Sequence, residues 1–510
     1  MNKKIGILGA SNSLLANGWH SVITRSFDCI KHAVGGSNSG IGIYKTYEQQ
    51  LLKDIDIAVI NFGVTEHEEL KGNFISKEHL SILINELYKP FQHSKVHCIS
   101  LLMPIKDVYD KREKDQSLDM HETSCKSSGG IFIDGYKFID ILLKNSIALN
   151  TSDLFLDNHH LKPVIARYLG EIVKIAIYSL GEHNKKLMGC LTDEHLKFEA
   201  KIAQSLNSDS SKHEHIKNSQ FNETAIKLVF NEKILINSQG YIHGLFVDCS
   251  RSETKIKIHT GSESIVKNLY CRAPIIADNK PQLKFCTLHN PLKIDKITYL
   301  EVVANNIAKT ESNRGERPLK DNNNNTAYIC GILTSETITK EREIYDFPYR
   351  NGLQEKIDII LEKYAKDCAE AITLLSVCTS RIVNTLSDTN VIIDDVLDNL
   401  LSMLNEKGHS EAANNLNALI MKHNFFKKTL SDKELISSSA LFDTDFYLNK
   451  YPDVARAGVD PIKHYCEFGF KEGRNPSPTF NTKSYILSKN LKQNQNPLVH
   501  YIKSMINAEE

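Results

Sequence analysis

The stretch that decides the fold is Ile5-Gly-Ile-Leu-Gly-Ala-Ser-Asn-Ser13. Its first half is a short apolar run, which is typical of a strand buried on both faces of a parallel sheet. The run ends at Gly9, and Ser11 follows two residues later. A serine in this position lies at the carboxyl edge of the sheet, where ligands of open α/β sheets bind. Ser11 is therefore the first candidate for a reactive side chain.

The following residues alternate between strand-like and helix-like segments. Ile57–Asn61 and Val96–Leu102 are further apolar runs bounded by polar or turn residues. Apolar residues recur at helical spacing in three segments, His79–Leu87, Tyr136–Leu143 and Leu161–Leu180. This alternation predicts an α/β fold with a doubly wound parallel sheet. We place this domain at residues 1–184.

A second, β-rich domain is predicted at residues 220–310. Its short strand-like segments are separated by turn-rich pieces: Ala225–Phe230, Lys233–Ile236, Tyr241–Val247, Lys255–Ile258 and Tyr299–Val303. Many short strands at close spacing favour a sandwich or a barrel. The polar stretch Lys185–Gln220 is expected to contain a loop or linker, and the run Asn322–Asn325 marks a second boundary.

Residues 350–432 have a helical pattern. The apolar stripe that indicates this consists of Ile357, Ile360, Leu361, Tyr364, Ala369, Ile372 and Leu375. It predicts an amphipathic helical bundle or hairpin. A dimerising coiled coil is the alternative, although the heptads are irregular.

Residues 440–510 contain an internal repeat. Phe442–Leu448 is echoed by Phe480–Ile486, and Pro461–Tyr465 is echoed by Pro497–Tyr501. Two copies of a small helical unit can share a core that neither buries alone. The aromatic and histidine positions of the repeat are therefore expected to be packing residues rather than ligands.

The composition is that of an ordinary soluble globular protein, with 41% apolar and 24% charged residues among 510. Lysine plus arginine and aspartate plus glutamate both number 62, so no net charge attracts nucleic acid or an anionic membrane. No apolar stretch reaches the roughly 18 residues of a membrane span. The short run after Lys3 and Lys4 lacks the cleavage site of a signal peptide. We therefore expect a cytoplasmic location.

The cysteine pattern argues against a metal site and a disulfide framework. Eleven cysteines are scattered without the paired C-x-x-C spacing of a zinc site. In a chain of this length they are expected to be buried or free thiols.

Chemistry at Ser11 requires a base, because a serine hydroxyl is a poor nucleophile until its proton is removed. Asp157-Asn-His-His-Leu161 supplies a histidine and a carboxylate just before the last predicted helix. The D-x-x-H spacing selects His160 with Asp157. His159 would need its acid at position 156, which is a leucine. These residues predict a Ser-His-Asp triad that needs no metal and no cofactor.

These motifs resemble the blocks of the SGNH (GDSL-like) hydrolases. Ser11 is similar to block I of that family, and Asp157 and His160 are similar to block V. Val34–Ser39 looks like the block II glycine segment, and Asn61–Glu66 stands where block III belongs. The resemblance spans roughly 180 residues. It implies an esterase domain with the triad Ser11, His160 and Asp157.

The same resemblance implies an oxyanion hole and marks two departures. Its donors would be the N–H groups of Ser11 and Gly36, with Gly35 as the nearby alternative, and Thr65. Block I of the family normally has aspartate where this chain has Ala10, and block III has asparagine where it has Thr65. Loss of one oxyanion donor costs about 10²–10³ in rate. Either a neighbouring residue substitutes, or the site is slow, or catalysis has been lost.

Several polar residues close to the motifs are candidates for substrate contact. They are Asn12, Asn38, Asn61, Glu66 and His67. Asn38 and Asn61 are also candidates to replace the missing oxyanion donor. The alternative for this group is a set of solvated loop residues.

Phe442–Pro478 resembles a short module attached to bacterial glycosyltransferases and other surface-polysaccharide proteins. By association, this resemblance implies a carbohydrate substrate. We expect a serine esterase that removes O-acyl groups from a carbohydrate. The alternatives are an O-acyltransferase with the same triad and a non-catalytic glycan-binding scaffold. The expected partners are an acylated carbohydrate and polysaccharide-assembly proteins.

If the β-rich domain holds carbohydrate, it must do so without a tryptophan. The only tryptophan, Trp19, lies in the first domain. Tyr241, Tyr270 and Tyr299 are the candidates for sugar stacking.

Overall fold

The first sheet of the computed structural model has five parallel strands. They are β1 (Lys4–Gly9), β2 (Asp28–Ala33), β3 (Ile57–Asn61), β4 (His97–Leu102) and β5 (Ile131–Asp134), in the spatial order β2-β1-β3-β4-β5. The structure describes residues 3–146, 149–180, 185–217, 221–271, 280–319, 325–346, 350–386, 432–433, 436, 441–489, 491–492 and 495–507. The chain divides into two compact units, Met1–Val377 and Cys378–Glu510, and each is described separately below.

Helices connect the strands of this sheet. They are α1 (Trp19–Ser26), α2 (Ser39–Glu48), α3 (Val64–Lys71), α4 (Lys77–Gln92), α5 (Lys106–Asp110), α6 (Leu118–Ser127), α7 (Gly135–Lys144), α8 (Thr151–Leu154) and α9 (Pro163–Ser179). α1 packs against α9, whereas α4 packs against α2 and α6. Right-handed crossovers in this strand order place those two groups on opposite faces of the sheet. The predicted doubly wound α/β fold is confirmed.

Two strands of the sheet were not predicted. β2 lies at the edge, and its side chains are exposed or half-buried, so it lacks the continuous apolar run of an inner strand. β5 has only four residues. The predicted strands at Ile57–Asn61 and Val96–Leu102, and the three predicted helices, correspond to β3, β4, α4, α7 and α9.

Two antiparallel sheets follow the α/β domain. Their strands are β6 (Lys185–Ile202), β7 (His213–Lys217), β8 (Asn222–Val229), β9 (Lys233–Leu235), β10 (Tyr241–Asp248), β11 (Lys255–His259), β12 (Ser264–Asn268), β13 (Leu283–Lys293), β14 (Tyr299–Val303) and β15 (Thr326–Asp346). One sheet has the order β13-β10-β15-β8-β7, with β6 also paired to β15, and the other has the order β12-β11-β14-β9. A short helix, α10 (Ala203–Leu206), follows β6.

The two sheets enclose a second hydrophobic core. Ile242 and Leu245 of β10 and Ile256, Ile258 and Leu300 of the other sheet belong to it. The predicted sandwich-like architecture is therefore found. The strands extend beyond the predicted 220–310, because β6 and β7 occupy most of the expected linker and β15 reaches Asp346. Of the asparagine run, only Asn325 lies within the described residues, directly before β15.

A long helix, α11 (Arg350–Leu386), follows the sandwich. Ile357, Leu361 and Ala369 of its predicted apolar stripe are fully buried in the core of the α/β domain. The Gln354 side chain donates to the carbonyl of Phe132 and accepts from its N–H group. This part of α11 therefore packs on the parallel-sheet domain rather than in a separate hairpin. Residues 387–431 of the predicted helical segment lie outside the described residues.

The second unit contains the two predicted repeats. Its helices are α12 (Thr444–Lys450), α13 (Pro452–Ala457), α14 (Pro461–His464), α15 (Thr482–Lys489) and α16 (Pro497–Asn507). The Tyr447 hydroxyl lies 3.1 Å from Nδ1 of His464, and the Tyr485 hydroxyl lies 3.1 Å from Nδ1 of His500. The same internal bond thus recurs in both copies. These aromatic and histidine residues act in packing, as predicted.

Two further sequence expectations concern the described residues as a whole. The nine cysteines whose side chains are described are all free thiols. None of the described helices combines the length and the apolar character needed to cross a bilayer.

A polar seam joins the α/β domain to the sandwich within the first unit. Nε2 of His79 lies 3.0 Å from Nδ1 of His243, whose own Nε2 lies 2.7 Å from the Ser335 hydroxyl. Nδ1 of His79 lies 3.0 Å from the carbonyl of Leu288. Both histidines are almost completely buried. Burial lowers the pKa of His79 to about 4 and the pKa of His243 well below 6.5, so the folded seam holds neutral rings.

Folding stability is therefore expected to depend on pH through His79. Because its folded pKa lies below the ordinary 6.5, its contribution is fully present above pH 6.5. It is lost as the pH falls from 6.5 toward 4, by up to about 3 kcal/mol. Urea unfolding at several pH values should show this slope in the wild type and a flatter slope in His79→Gln. His215→Gln, an exposed histidine of β7, should leave the slope unchanged; an equal slope in all three proteins would contradict the assignment.

Candidate active site

Ser11 lies in a single 3₁₀ turn, Ser11–Ser13, directly after β1. Asn61 at the end of β3 holds this turn at two points. Its carbonyl accepts from the N–H of Ala10 at 3.1 Å, and its side-chain oxygen accepts from the Ser13 hydroxyl at 3.0 Å. Gly9 leaves the space for the turn, since a Cβ there would lie 2.1 Å from the Ser13 oxygen. Ser11 is thus fixed at the carboxyl edge of the sheet.

The loop that carries His160 is closed by its own backbone. The N–H of Leu156 donates to the carbonyl of His160 at 2.8 Å, and Phe155 pairs with Leu161 in an isolated β-bridge. The Asp157 carboxylate accepts from the N–H groups of His159 and His160 at 2.7 and 3.0 Å. The carboxylate therefore orders the loop as well as facing the histidine ring.

The structure brings the three predicted triad residues together. Nε2 of His160 lies 2.9 Å from the Ser11 hydroxyl, and Nδ1 lies 2.8 and 2.9 Å from the two Asp157 oxygens. Burial alone would raise the pKa of Asp157, but the hydrogen bonds from the His160 ring and the two N–H groups outweigh burial and lower it. The carboxylate is therefore ionised at neutral pH. It is suited to hold the ring with Nδ1 protonated and Nε2 free to accept a proton.

The three donors predicted for the oxyanion hole are not engaged by other described groups. Gly36 has a left-handed backbone conformation (φ 67°) in the turn before α2. In the described part of the chain, the N–H groups of Ser11 and Gly36 have no hydrogen-bond partner. Thr65 is buried in the first turn of α3, and its hydroxyl is bonded to no described residue. These unpaired donors are what an oxyanion hole requires.

Asn38, Asn61 and Glu66, expected as substrate contacts, have structural roles instead. Asn38 donates to the carboxylate of Glu69 and to the hydroxyl of Thr287, at 2.6 and 2.7 Å. Besides its bonds to the Ser11 turn, Asn61 donates from its amide nitrogen to the carbonyl of Leu101 at 2.8 Å. Each of these side chains is buried with its groups engaged. Asn38 and Asn61 are therefore unavailable to replace the missing oxyanion donor.

Glu66 connects the starts of α2 and α3. One carboxylate oxygen accepts from the backbone N–H of Ser39 at 2.7 Å and from its hydroxyl, and the other contacts Nε2 of His121. The side chain is fully buried. Ser39 directly follows the Gly36 turn and Asn38, and Thr65 directly precedes Glu66. Glu66 therefore positions the two segments that carry the unpaired donors.

The two remaining candidates, Asn12 and His67, also make contacts within the protein. The Asn12 amide donates to the carbonyl of His159 at 3.1 Å. His67 is buried, and its Nδ1 lies 3.5 Å from Asp115, so it supports the fold. Glu68 was not predicted as a site residue, yet its carboxylate lies 3.5 Å from Nε2 of His159. Its spacing of three residues from Thr65 places it on the same side of α3, which is the signal that could have identified it.

The three tyrosines expected for sugar stacking have different environments. Tyr299 is occupied, because its ring packs against His259 at 4.8 Å between centroids and lies under the Lys233 ammonium at 4.4 Å. Tyr241 begins β10 and is 37% exposed. Tyr270 is half-buried, and Cys271 after it is the last described residue before position 280.

A serine, a histidine and a carboxylate that are joined in this order by hydrogen bonds at the carboxyl edge of a parallel sheet form the arrangement used by serine hydrolases of α/β fold. A similar solved structure is a two-domain esterase active on acetylated mannans, with 13% identity and a TM-score of 0.43 over 66% of this chain and 92% of that one. Another is an acetyl xylan esterase, with 14% identity and a TM-score of 0.29 over 35% and 100%. The acetylxylan esterase of Geobacillus stearothermophilus has 12% identity and a TM-score of 0.28 over 33% and 91%.

No protein-family model and no curated protein matches the chain.

Glu66→Gln tests the positioning role of the buried carboxylate. Removing the charge weakens the contacts to Ser39 and His121, and we expect the free energy of unfolding to fall by about 2 kcal/mol. Urea unfolding gives this value. Glu122→Gln, which removes an exposed carboxylate paired with Lys126, is the matched control and should change stability by about 0.5 kcal/mol or less. Equal effects of both substitutions would contradict the role.

Proposed function

We propose that this protein is a serine esterase that removes O-acyl groups, above all O-acetyl groups, from a carbohydrate. The observation that carries the proposal is the continuous hydrogen-bonded line from Asp157 through His160 to Ser11, with separations of 2.8 and 2.9 Å. It supplies the base that a serine nucleophile needs. The carbohydrate part is supported by the resemblance of Phe442–Pro478 to a module of surface-polysaccharide proteins.

The reaction follows from the position of each group. His160 accepts the Ser11 proton at Nε2 while Ser11 attacks the ester carbonyl, and Asp157 stabilises the imidazolium. The N–H groups of Ser11 and Gly36 and the Thr65 hydroxyl meet the developing oxyanion. When the tetrahedral intermediate collapses, His160 returns the proton to the departing sugar oxygen. Water, activated by the same histidine, then releases the acyl group as a carboxylic acid.

Labelling with a fluorophosphonate probe tests the activated serine. Wild-type protein should be labelled stoichiometrically, and Ser11→Ala and His160→Ala should not be labelled, because one lacks the nucleophile and the other its base. Circular dichroism of the variants controls for folding. No labelling of folded wild-type protein would contradict the esterase and favour the non-catalytic glycan-binding scaffold.

Acetate release from acetylated mannan and acetylated xylan tests the substrate class. These polysaccharides are chosen because proteins of similar fold are named for them. We expect release by the wild type and none by Ser11→Ala. Transfer of acetyl to an added sugar acceptor in excess of hydrolysis would instead identify an O-acyltransferase.

Thr65→Val tests whether the threonine hydroxyl replaces the asparagine of the resembled family. The substitution keeps the shape and removes a hydroxyl that bonds to no described residue. We expect kcat on a small acetyl ester to fall about 10²–10³-fold without a large loss of stability. Thr46→Val, which removes a hydroxyl bonded to the Gly42 carbonyl in α2, should leave kcat unchanged. An unchanged kcat in Thr65→Val would remove Thr65 from the oxyanion hole.

A further inference from the structure

A cavity of about 580 Å³ lies in the first unit, away from the triad. Its walls come from the α3–α4 connection, the start of β12, the second half of β13 and a segment after β14. These are residues 72–74, 263–265, 289–292 and 310–312. The volume is within the range of small-ligand sites. We call it the seam cavity, because both the α/β domain and the sandwich line it.

The seam cavity is formed where β13 leaves the regular ladder. Leu292 pairs with Ile242 and Thr287 pairs with Gly244, so residues 288–291 stand opposite the single residue His243. The excess residues form a bulge, and bulges are frequent next to functional sites because they re-aim side chains. Backbone bonds hold the bulge on both sides: the carbonyl of His289 accepts from the N–H of Ser76 at 2.9 Å, and its N–H donates to Glu311 at 3.0 Å.

Glu311 is a fixed acceptor in the cavity wall. Its Oε2 accepts from the N–H of His289 and from the ammonium of Lys267, both at 3.0 Å. Lys267 is completely buried and also donates to the carbonyl of Thr287 at 2.8 Å. The other carboxylate oxygen, Oε1, receives no hydrogen bond from any residue of the described part. The carboxylate is therefore held in place through Oε2, and Oε1 can accept a hydrogen bond from a ligand.

The remaining wall combines free polar groups with a ring. The His289 imidazole is bonded to no described residue, and the neighbouring Asn290 is exposed. Phe74 is half-buried with its ring across Gly72, where a Cβ would lie 2.2 Å from the ring. A ring face beside fixed hydrogen-bonding groups suits a sugar, which presents C–H faces and a rim of hydroxyls.

The charges of the wall disfavour an anionic ligand. Glu263 and Glu311 both line the cavity. Lys267 is paired with Glu311 and buried, so it does not compensate a second negative charge. An anionic ligand in the cavity would be repelled by the two carboxylates. Hydroxyl groups, in contrast, can donate to them.

The topology places the seam cavity on the same side of the sheet as Ser11. α4 ends at Gln92 and β4 begins at His97, so the end of α4 lies at the amino edge of the sheet. The 16-residue helix is about 24 Å long, which puts its first turn, and Phe74 before it, at the carboxyl edge. Gly72 is seven residues beyond Thr65, about 10 Å along α3. A short oligosaccharide spans such a distance.

We propose that the seam cavity binds a neutral oligosaccharide segment of the carbohydrate whose acyl ester reaches Ser11. This inference rests on the proposed function for the identity of the substrate. The binding itself requires neither the nucleophile nor the base. Binding and catalysis are therefore separable by experiment.

Calorimetric titration of the full chain carrying Ser11→Ala tests the cavity. The probes are mannopentaose and xylopentaose, with trigalacturonic acid as the anionic counterpart. We expect at least one neutral probe to bind and the anionic one not to bind.

Adding His289→Ala should weaken binding about tenfold, since it removes a hydrogen-bonding ring without touching the anchored backbone. Ser264→Trp should block the cavity. His215→Ala, an exposed histidine on β7 of the same sandwich, is the matched control and should bind as the parent does.

The outcomes separate this inference from the esterase. Binding that is unaffected by His289→Ala and Ser264→Trp, absence of binding of both neutral probes, or preference for the anionic probe would each overturn the assignment. Failure of fluorophosphonate labelling with intact, cavity-dependent binding would overturn the esterase and leave the seam cavity standing.

Discussion

The structure depends first on how Asn61 fastens β1 to β3 and β4. Its backbone pairs with Gly9 and Ala10, its side-chain oxygen holds Ser13, and its amide reaches the carbonyl of Leu101. A buried amide with both ends engaged is costly to disturb, because any movement leaves polar atoms unpaired away from water. The turn that carries Ser11 therefore has one position, and the nucleophile can be approached by a histidine on a loop about 150 residues later.

Buried polar side chains also fix the starts of α2 and α3. Glu66 connects the start of α3 to the start of α2, and Asn38 connects α2 to Glu69 and to Thr287 of the sandwich. Gly40 allows this close approach, since a Cβ there would lie 2.3 Å from the ring of Phe285. The sandwich thus supports the wall of the candidate active site from behind.

Local patterns in the sequence were sufficient for the inner strands, the long helices and the choice of Ser11, Asp157 and His160, whose side chains the structure brings into contact. β3 and β4 are continuous apolar runs. The D-x-x-H spacing selects His160, because Asp157 lies only three residues before it in the same loop. Glu66, Asn61 and Asn38 were expected to contact substrate but have structural roles, because the contacts that decide their roles are not local in the sequence. Their partners lie up to 249 positions away in the chain, and no local pattern distinguishes a polar residue at a surface from one sealed by a distant segment. The edge strand β2 has no periodic apolar pattern, because its side chains are exposed or half-buried. The bulge of β13 has none either, because its residues leave the regular register of the sheet.

The polar character of the seam also has a consequence for biosynthesis. Asn38 and Thr287 are 249 residues apart, so a ribosome that adds about 5–20 residues per second completes the first partner about 10–50 s before the second. During that interval the α/β face that later meets the sandwich is in contact with water. His79 and Asn38 on that face tolerate this exposure, because water can satisfy their polar groups until the partners from the sandwich arrive. The polar groups of the seam therefore reduce the apolar surface that the nascent chain exposes to water until the sandwich has been made.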